Sequence, residues 1–173
     1  MGEELIISEM NDLDNSVLEE LSNVLIRIVE DGASVGFLAP VGFERAKAYW
    51  TSVIEPGVIL FIARISGELA GTVQLHLATK PNASHRAEIA KLMVHPRYRN
   101  RGVARGLMQQ AEKKAAAEAR TLLVLDTRAG DVSNQLYQSM GYVEAGRIPH
   151  FAQSSNGLLE DTVIYYKEFS EGY

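Results

Sequence analysis

The chain has 173 residues, 46% of them apolar and 23% charged, with a formal charge of −5 at neutral pH. That size suits a single domain over residues 1–173 with one sizeable core, and the composition excludes disordered and fibrous classes. The acidic balance argues against the broad basic face that nucleic-acid binding needs, and the lack of cysteine excludes disulfides, thiolate metal sites and a cysteine nucleophile.

"ELIIS" (Glu4 to Ser8) predicts a short strand. Asn11 or Asp12 can then cap a helix with Leu18, Leu21, Val24, Leu25 and Ile28 on one face, ended by Gly32. "SVGFLAPVG" carries glycine and proline punctuation and predicts a loop, followed by a helix near Phe43 to Val53 that "EPG" stops. "VILFIAR" and "LAGTVQLHLA", joined by "SGE", predict a β-hairpin, and "KPNAS" a second loop. Next come a strand from about Ala87 to Val94, a helix starting near Gly102, a buried strand "TLLVLD" and a helix "DVSNQLYQSM" closed by Gly141. Strands near Tyr142 to Gly146 and Thr162 to Lys167 complete the pattern. Strands alternating with helices after a hairpin predict an α/β domain whose sheet mixes antiparallel and parallel pairs.

The opening "MGEELIISEM" has no basic region leading into an apolar stretch, and "GVILFIARI" is broken by Arg64 well short of the roughly 20 residues of a membrane helix. The expectation is a cytoplasmic chain without membrane attachment.

Arg97, Arg99, Arg101 and Arg105 crowd around Gly102 at the mouth of a helix in "HPRYRNRGVARGLMQQAEKKAAAE". A helix N-terminus has unpartnered N–H groups and the equivalent of about half a positive charge, so it suits phosphate. Gly102 lets a bulky oxyanion approach the backbone, small Ala104 keeps the next turn clear, and arginines add forked donors. A solvated basic helix start is the bland alternative. The dinucleotide fingerprint G-x-G-x-x-G fails at Ala104, and the P-loop finds no glycine or lysine at its spacing.

Arg99-Asn100-Arg101-Gly102-Val103-Ala104 resembles the acyl-CoA-binding signature of the GNAT superfamily of N-acetyltransferases, Arg/Gln-x-x-Gly-x-Gly/Ala. "LMVHPRYRNRG" sets it between a strand and an amphipathic helix, and "SNQLYQSMGY" falls where the family has its fourth helix with an asparagine and a tyrosine. The chain is further similar to the tabtoxin resistance acetyltransferases in "GASVGF", "KPN", "RAEIAKLMV", "LDT" with "AG", and "IYYK".

The resemblance implies a mixed, mainly antiparallel sheet with a central, splayed parallel strand pair, flanked by helices. It also implies acetyl-CoA as donor co-substrate. Its pyrophosphate would meet the amides near Arg101, Gly102, Val103 and Ala104, with Arg99 and Asn100 in the same turn. Its pantetheine arm would lie along the strand of Met93 and Val94, and Asn134 would bind it as well.

Acetyl transfer needs a neutral nucleophile, and an amine of ordinary pKa about 10.4 is almost all ammonium at pH 7, so a base and an acid both help. Tyr137 shares a helix face with Asn134. On periodicity it reads as a core aromatic; the resemblance implies that it protonates the departing sulfur and contacts the cofactor. Glu88 and Asp126 interrupt apolar strands and are the candidate bases, directly or through water. Their bland readings are a solvated strand start and a cap or turn. Strand parity puts Glu88 on the face of Ala90, Leu92 and Val94 unless a β-bulge intervenes. Arg86 could meet an acceptor carboxylate. His95 is expected to shape a turn and His76 to point into the acceptor cleft; His85 and His150 read as loop residues. No histidine spacing suggests a metal.

The expected activity is acetyl transfer to an amine or hydroxyl of a small amino-acid-like or toxin-like acceptor. Acetylation of a protein N-terminus or lysine, and a non-catalytic acyl-CoA sensor, are the alternatives. The resemblance also makes a homodimer an expectation. Loops Ser34 to Gly42 and Lys80 to Arg86 would determine the acceptor.

Overall fold

Seven strands form one sheet in a computed structural model that describes residues 2–170; Met1 and residues 171–173 of the expected domain lie outside the described residues. The elements are β1 (Leu5–Met10), α1 (Asn15–Glu30), α2 (Phe43–Thr51), β2 (Val58–Ile65), β3 (Glu68–Leu77) and β4 (Arg86–Val94). After them come α3 (Val103–Ala117), β5 (Leu122–Arg128), α4 (Ser133–Ser139), β6 (Val143–Gln153) and β7 (Leu159–Glu168). The spatial order is β1-β2-β3-β4-β5-β7-β6, with every neighbouring pair antiparallel except β4–β5. A parallel pair needs a long crossover, and α3 supplies it. The mixed α/β sheet with a central parallel pair is the architecture expected.

Helices cover both faces of the sheet, and the sequence pattern explains why each stays there. The periodic face of α1 buries Leu18, Leu21, Val24, Leu25 and Ile28, which join Trp50 of α2 and Leu60, Ile62 and Met93 of the sheet. On the other face Leu107, Met108, Ala111 and Ala115 of α3 pack on Val73, Leu75, Leu123, Leu125, Val163 and Tyr165. The cap of α1 is Asp14, whose carboxylate accepts the Val17 amide at 2.9 Å, and not Asn11 or Asp12. β1 runs on to Met10, so the chain needs the next residues to turn.

Two further expectations are corrected by irregular pairing. Strand β6 extends far past Gly146, through Pro149 and His150, and its register with β7 shifts between Ile148 and Ala152. An outermost strand tolerates proline because its outer edge donates to no neighbour, so a residue that reads as a strand stop is absorbed. His150 therefore lies within a strand, with its amide donating to Asp161.

The second irregularity creates the site. Thr72 pairs with Met93 but Gln74 pairs with Ala90, so Lys91 and Leu92 together oppose Val73 in a bulge where Lys91 has φ 54°. Before the bulge Ala87 and Ile89 face α3; after it Leu92 and Val94 do, while Met93 points to the α1–α2 side. Glu88 thus shares its face with Ala90 and Met93, not with Leu92 and Val94. A bulge also bends its strand. β4 pairs with β5 only over Arg86–Glu88 against Leu122–Val124, whereas β5 stays paired with β7 along its whole length. The two central strands splay beyond that point.

Candidate active site

The glycine-arginine turn stands at the open end of this splay. His95 Nδ1 accepts the Arg97 amide at 3.1 Å and starts one 3₁₀ turn, so His95 does shape the chain there. Asn100 (φ 60°) and Gly102 (φ 77°) then swing the backbone into α3. No side chain caps α3, its first turn carries no acid, and the amides of residues 100–105 donate to no acceptor among the described residues. A Cβ placed on Gly102 would meet no atom within 4 Å, so the space before these donors is open. An anion of phosphate size fits such an end on charge and hydrogen bonding.

The surrounding side chains are less available than the sequence suggests. Arg99 pairs with Asp31 at 2.6 Å, Arg101 with Glu3, and Arg97 with Glu68 at 3.2 Å, while Arg105 donates to the Ser139 hydroxyl. Val103 and Met93 point into the two cores, so these two residues offer an approaching ligand their backbone only. Ala104 and Val94 are half-buried, and Asn100 is exposed.

On the α1–α2 face the splay is lined by polar groups from several elements. Glu88 of β4 and Asp126 of β5 are both exposed there, and Asp126 accepts the Thr162 hydroxyl at 3.1 Å. His76 lies directly across the ladder from Glu88 and meets Gln74 Oε1 at 2.9 Å; Gln74 donates in turn to the Tyr49 hydroxyl at 2.9 Å. Sequence reading missed Lys91, Gln74 and Tyr49. Lys91 reaches from the bulge to donate to the Val35 carbonyl at 2.6 Å. Burial holds its basicity below the usual lysine range, opposed by the charges of Asp126 and Glu88. The loop above this face is tied down again where the Ala39 amide donates to Ser155 Oγ at 3.0 Å. Arg86, at the paired end of β4 opposite Leu122, lies before the splay opens.

Tyr137 of α4 belongs to the opposite core, with its ring packed edge-on to Tyr142 and tilted against Tyr165, both at 5.9 Å between centroids. Its hydroxyl makes no hydrogen bond among the described residues, and burial, then the charges of Asp126 and Asp131, push it far above the usual tyrosine range. The group stays protonated. Asn134 is committed to the fold: its amide donates to the carbonyls of Arg128 (3.0 Å) and Asp131 (2.8 Å), and its Oδ1 accepts the Tyr165 hydroxyl (2.8 Å). Two of these bonds fix the β5–α4 turn and the third ties α4 to β7, leaving one lone pair for any ligand.

The acetyltransferase (GNAT) family profile matches residues 25–142, the span that holds the splay, the turn and Tyr137. The chain belongs to this family. An uncharacterized N-acetyltransferase from the hisH-hisA intergenic region of Azospirillum brasilense is 30% identical over 128 residues, covering 72% of this chain and 76% of that protein. Among solved structures, yncA, a putative acetyltransferase from Salmonella typhimurium with its cofactor acetyl-CoA, superposes with a TM-score of 0.77 at 15% identity, covering 96% of this chain and 95% of that one. A putative phosphinothricin N-acetyltransferase gives 0.78 at 21% identity over 97% and 100%. Likeness at these identities carries the fold alone. The family membership makes this GNAT chain an acetyltransferase, and GNAT acetyltransferases use acetyl-CoA.

Proposed function

We propose that this GNAT acetyltransferase moves the acetyl group of acetyl-CoA to the amine of a small amino-acid-like molecule. The observation that carries the acceptor class is the two-signed lining of the splay. Lys91 meets a loop that it holds at Val35 and that Ser155 of the β6–β7 turn holds again at Ala39, and Glu88 and Asp126 stand exposed close enough for their charges to act on it. Opposite charges a short distance apart suit a small zwitterion, with its ammonium toward the carboxylates. The putative phosphinothricin N-acetyltransferase, similar in fold, carries a small-molecule substrate in its name, which accords with this reading and with a tabtoxin-resistance-like acceptor.

The free amides at the start of α3 and the bare Gly102 suit the pyrophosphate, and β4 beyond Glu88, paired with β3 but no longer with β5, suits an extended chain that pairs like a strand along its free edge. Bound acetyl-CoA supplies an activated thioester carbonyl and a thiolate leaving group. Glu88 and Asp126 pair with the acceptor ammonium and take its proton, directly or through one water, freeing the nitrogen lone pair. Tyr137, kept protonated by its surroundings, donates its hydroxyl proton at the departing sulfur. Asp126 lies close enough for its charge to act on both Tyr137 and Lys91, and so links the acid side of the splay to the acceptor side.

The test is an acceptor screen that follows free-thiol release from acetyl-CoA, with amino acids, amino-acid-like amines and peptides offered together. Faster turnover of the small amines supports the reading. Much faster acetylation of peptide N-termini or lysines overturns it in favour of a protein acceptor, and no release with any acceptor overturns catalysis itself.

A further inference from the structure

Lys91 has no part in the chemistry above, yet the fold goes to some length to place it. It sits at the bulge with φ 54°, in the left-handed region that L-residues other than asparagine and aspartate rarely adopt. Its ammonium touches the loop over the cleft at a point kept bare by Gly36, where a Cβ would come within 2.7 Å of Nζ. Of three N–H donors, one is met, by Val35 O. No carboxylate among the described residues comes within ion-pair distance of it, although Glu88 and Asp126 are near enough for their charges to be felt.

Half-burial makes this ammonium costlier to desolvate than a surface lysine, and its two further donors are free to meet an anion in the splay. The cleft carboxylates do not meet them, and the acceptor can. We infer that Lys91 binds a carboxylate of the acceptor, with the reacting amine turned toward Glu88 and Asp126. The substrate class is then an amine that carries a carboxylate, held across the cleft by opposite charges at its two ends. Arg86, the arginine that sequence reading offered for this task, lies before the splay opens and is exposed. The inference rests on the small-molecule reading above and narrows it.

The test offers the proteinogenic L-amino acids to the wild-type enzyme, each as the free acid and as its α-carboxamide, with thiol release as the readout. The comparison is made through KM at fixed pH, because the amide also lowers the basicity of its own amine. The acid should bind roughly 10- to 100-fold better than its amide, the size expected of a charged hydrogen bond. Lys91→Met should bring that ratio close to one, and Lys91→Arg should restore much of it. If Lys91 merely latched the loop to Val35, its loss would weaken both members of each pair alike and leave the ratio standing. A wild-type ratio of one, a ratio that survives Lys91→Met, or turnover confined to amines without a carboxylate each overturns the inference. The wild-type ratio needs no variant to fold. Turnover of amines lacking a carboxylate would still leave acetyl transfer to small amines intact, so the two readings fail separately.

Discussion

Replacing Gly102 by alanine tests the anion site with numbers that follow from the backbone. At φ 77° and ψ 5° the glycine is left-handed, and an L-residue there costs about 1–2 kcal/mol. The new methyl would meet no atom within 4 Å, so no steric cost is added. For a domain of this length 1 kcal/mol corresponds to about 2–4 °C, so Tm without ligand should fall by roughly 2–8 °C. Acetyl-CoA at about 100 times Kd should stabilise the parent by ~2.7 kcal/mol, a rise of roughly 5–11 °C. The methyl projects into the space that the pyrophosphate would occupy before the α3 amides. Losing the equivalent of one or two charge-assisted hydrogen bonds, about 2.7 kcal/mol in all, weakens binding about 100-fold. The same ligand concentration would then equal Kd and stabilise by only ~0.4 kcal/mol, roughly 1–2 °C. Gly102→Asn separates the two effects, because asparagine tolerates the left-handed region and should lose the ligand shift with less loss of Tm. Differential scanning fluorimetry across an acetyl-CoA titration reads both quantities. A full ligand shift in Gly102→Ala would refute the placement of the pyrophosphate.

Tyr137→Phe keeps the packing against Tyr142 and Tyr165 and removes the acid, so kcat should drop about 10²–10⁴-fold with acetyl-CoA affinity nearly unchanged; an unaltered single-turnover rate would remove Tyr137 from the chemistry. Asp126→Asn and Glu88→Gln should each lower kcat/KM and reshape the acidic limb of its pH profile, since an amide neither takes a proton nor pairs an ammonium; an unchanged profile in both variants would exclude the pair as base. His95 is held below the usual histidine range by burial and by Arg27, Arg97 and Arg99, so the unfolded chain binds its proton more readily than the folded one. Stability should therefore fall as pH drops through and below about 6.5, where protonation also breaks the Nδ1 bond to Arg97 N; His95→Asn should flatten that part of a Tm-against-pH curve, and an unchanged slope would dismiss the effect.

The fold was legible where one local pattern had one structural meaning. Leu18, Leu21, Val24, Leu25 and Ile28 can share a face only on a helix, and all five are buried. Glycine at 67 after Ser66 closes a two-residue hairpin turn with both residues at positive φ, which suits the twist of the flanking strands. Reading failed where position in the sheet decides what a residue costs. Pro149 would end a central strand, but β6 is outermost, and nothing local to "GRIPHF" records that.

The candidate site divides in the same way, and the division follows the physics of its two halves. The donor side is local: one glycine, one helix start and the strand before them are contiguous, so six adjacent residues carry its signal. The acceptor side is assembled from residues far apart in sequence, and its decisive step is a bulge that reads as uninterrupted strand in "AEIAKLMV". Without the bulge, Lys91 would face α3 with Ala87 and Ile89, and no lysine would reach Val35. With it, Met93 enters the core under α1 and Lys91 turns up beneath the loop, so one extra residue fills a hydrophobic position and charges the cleft together. Arg99 and Arg101 show the converse. They read as free donors because their partners, Asp31 and Glu3, are distant in sequence. Any phosphate at α3 must compete with those carboxylates for the guanidinium groups while finding the backbone amides unopposed. Phosphate binding at this turn would therefore depend first on the conformation of Gly102 and only second on the arginines that make the stretch conspicuous.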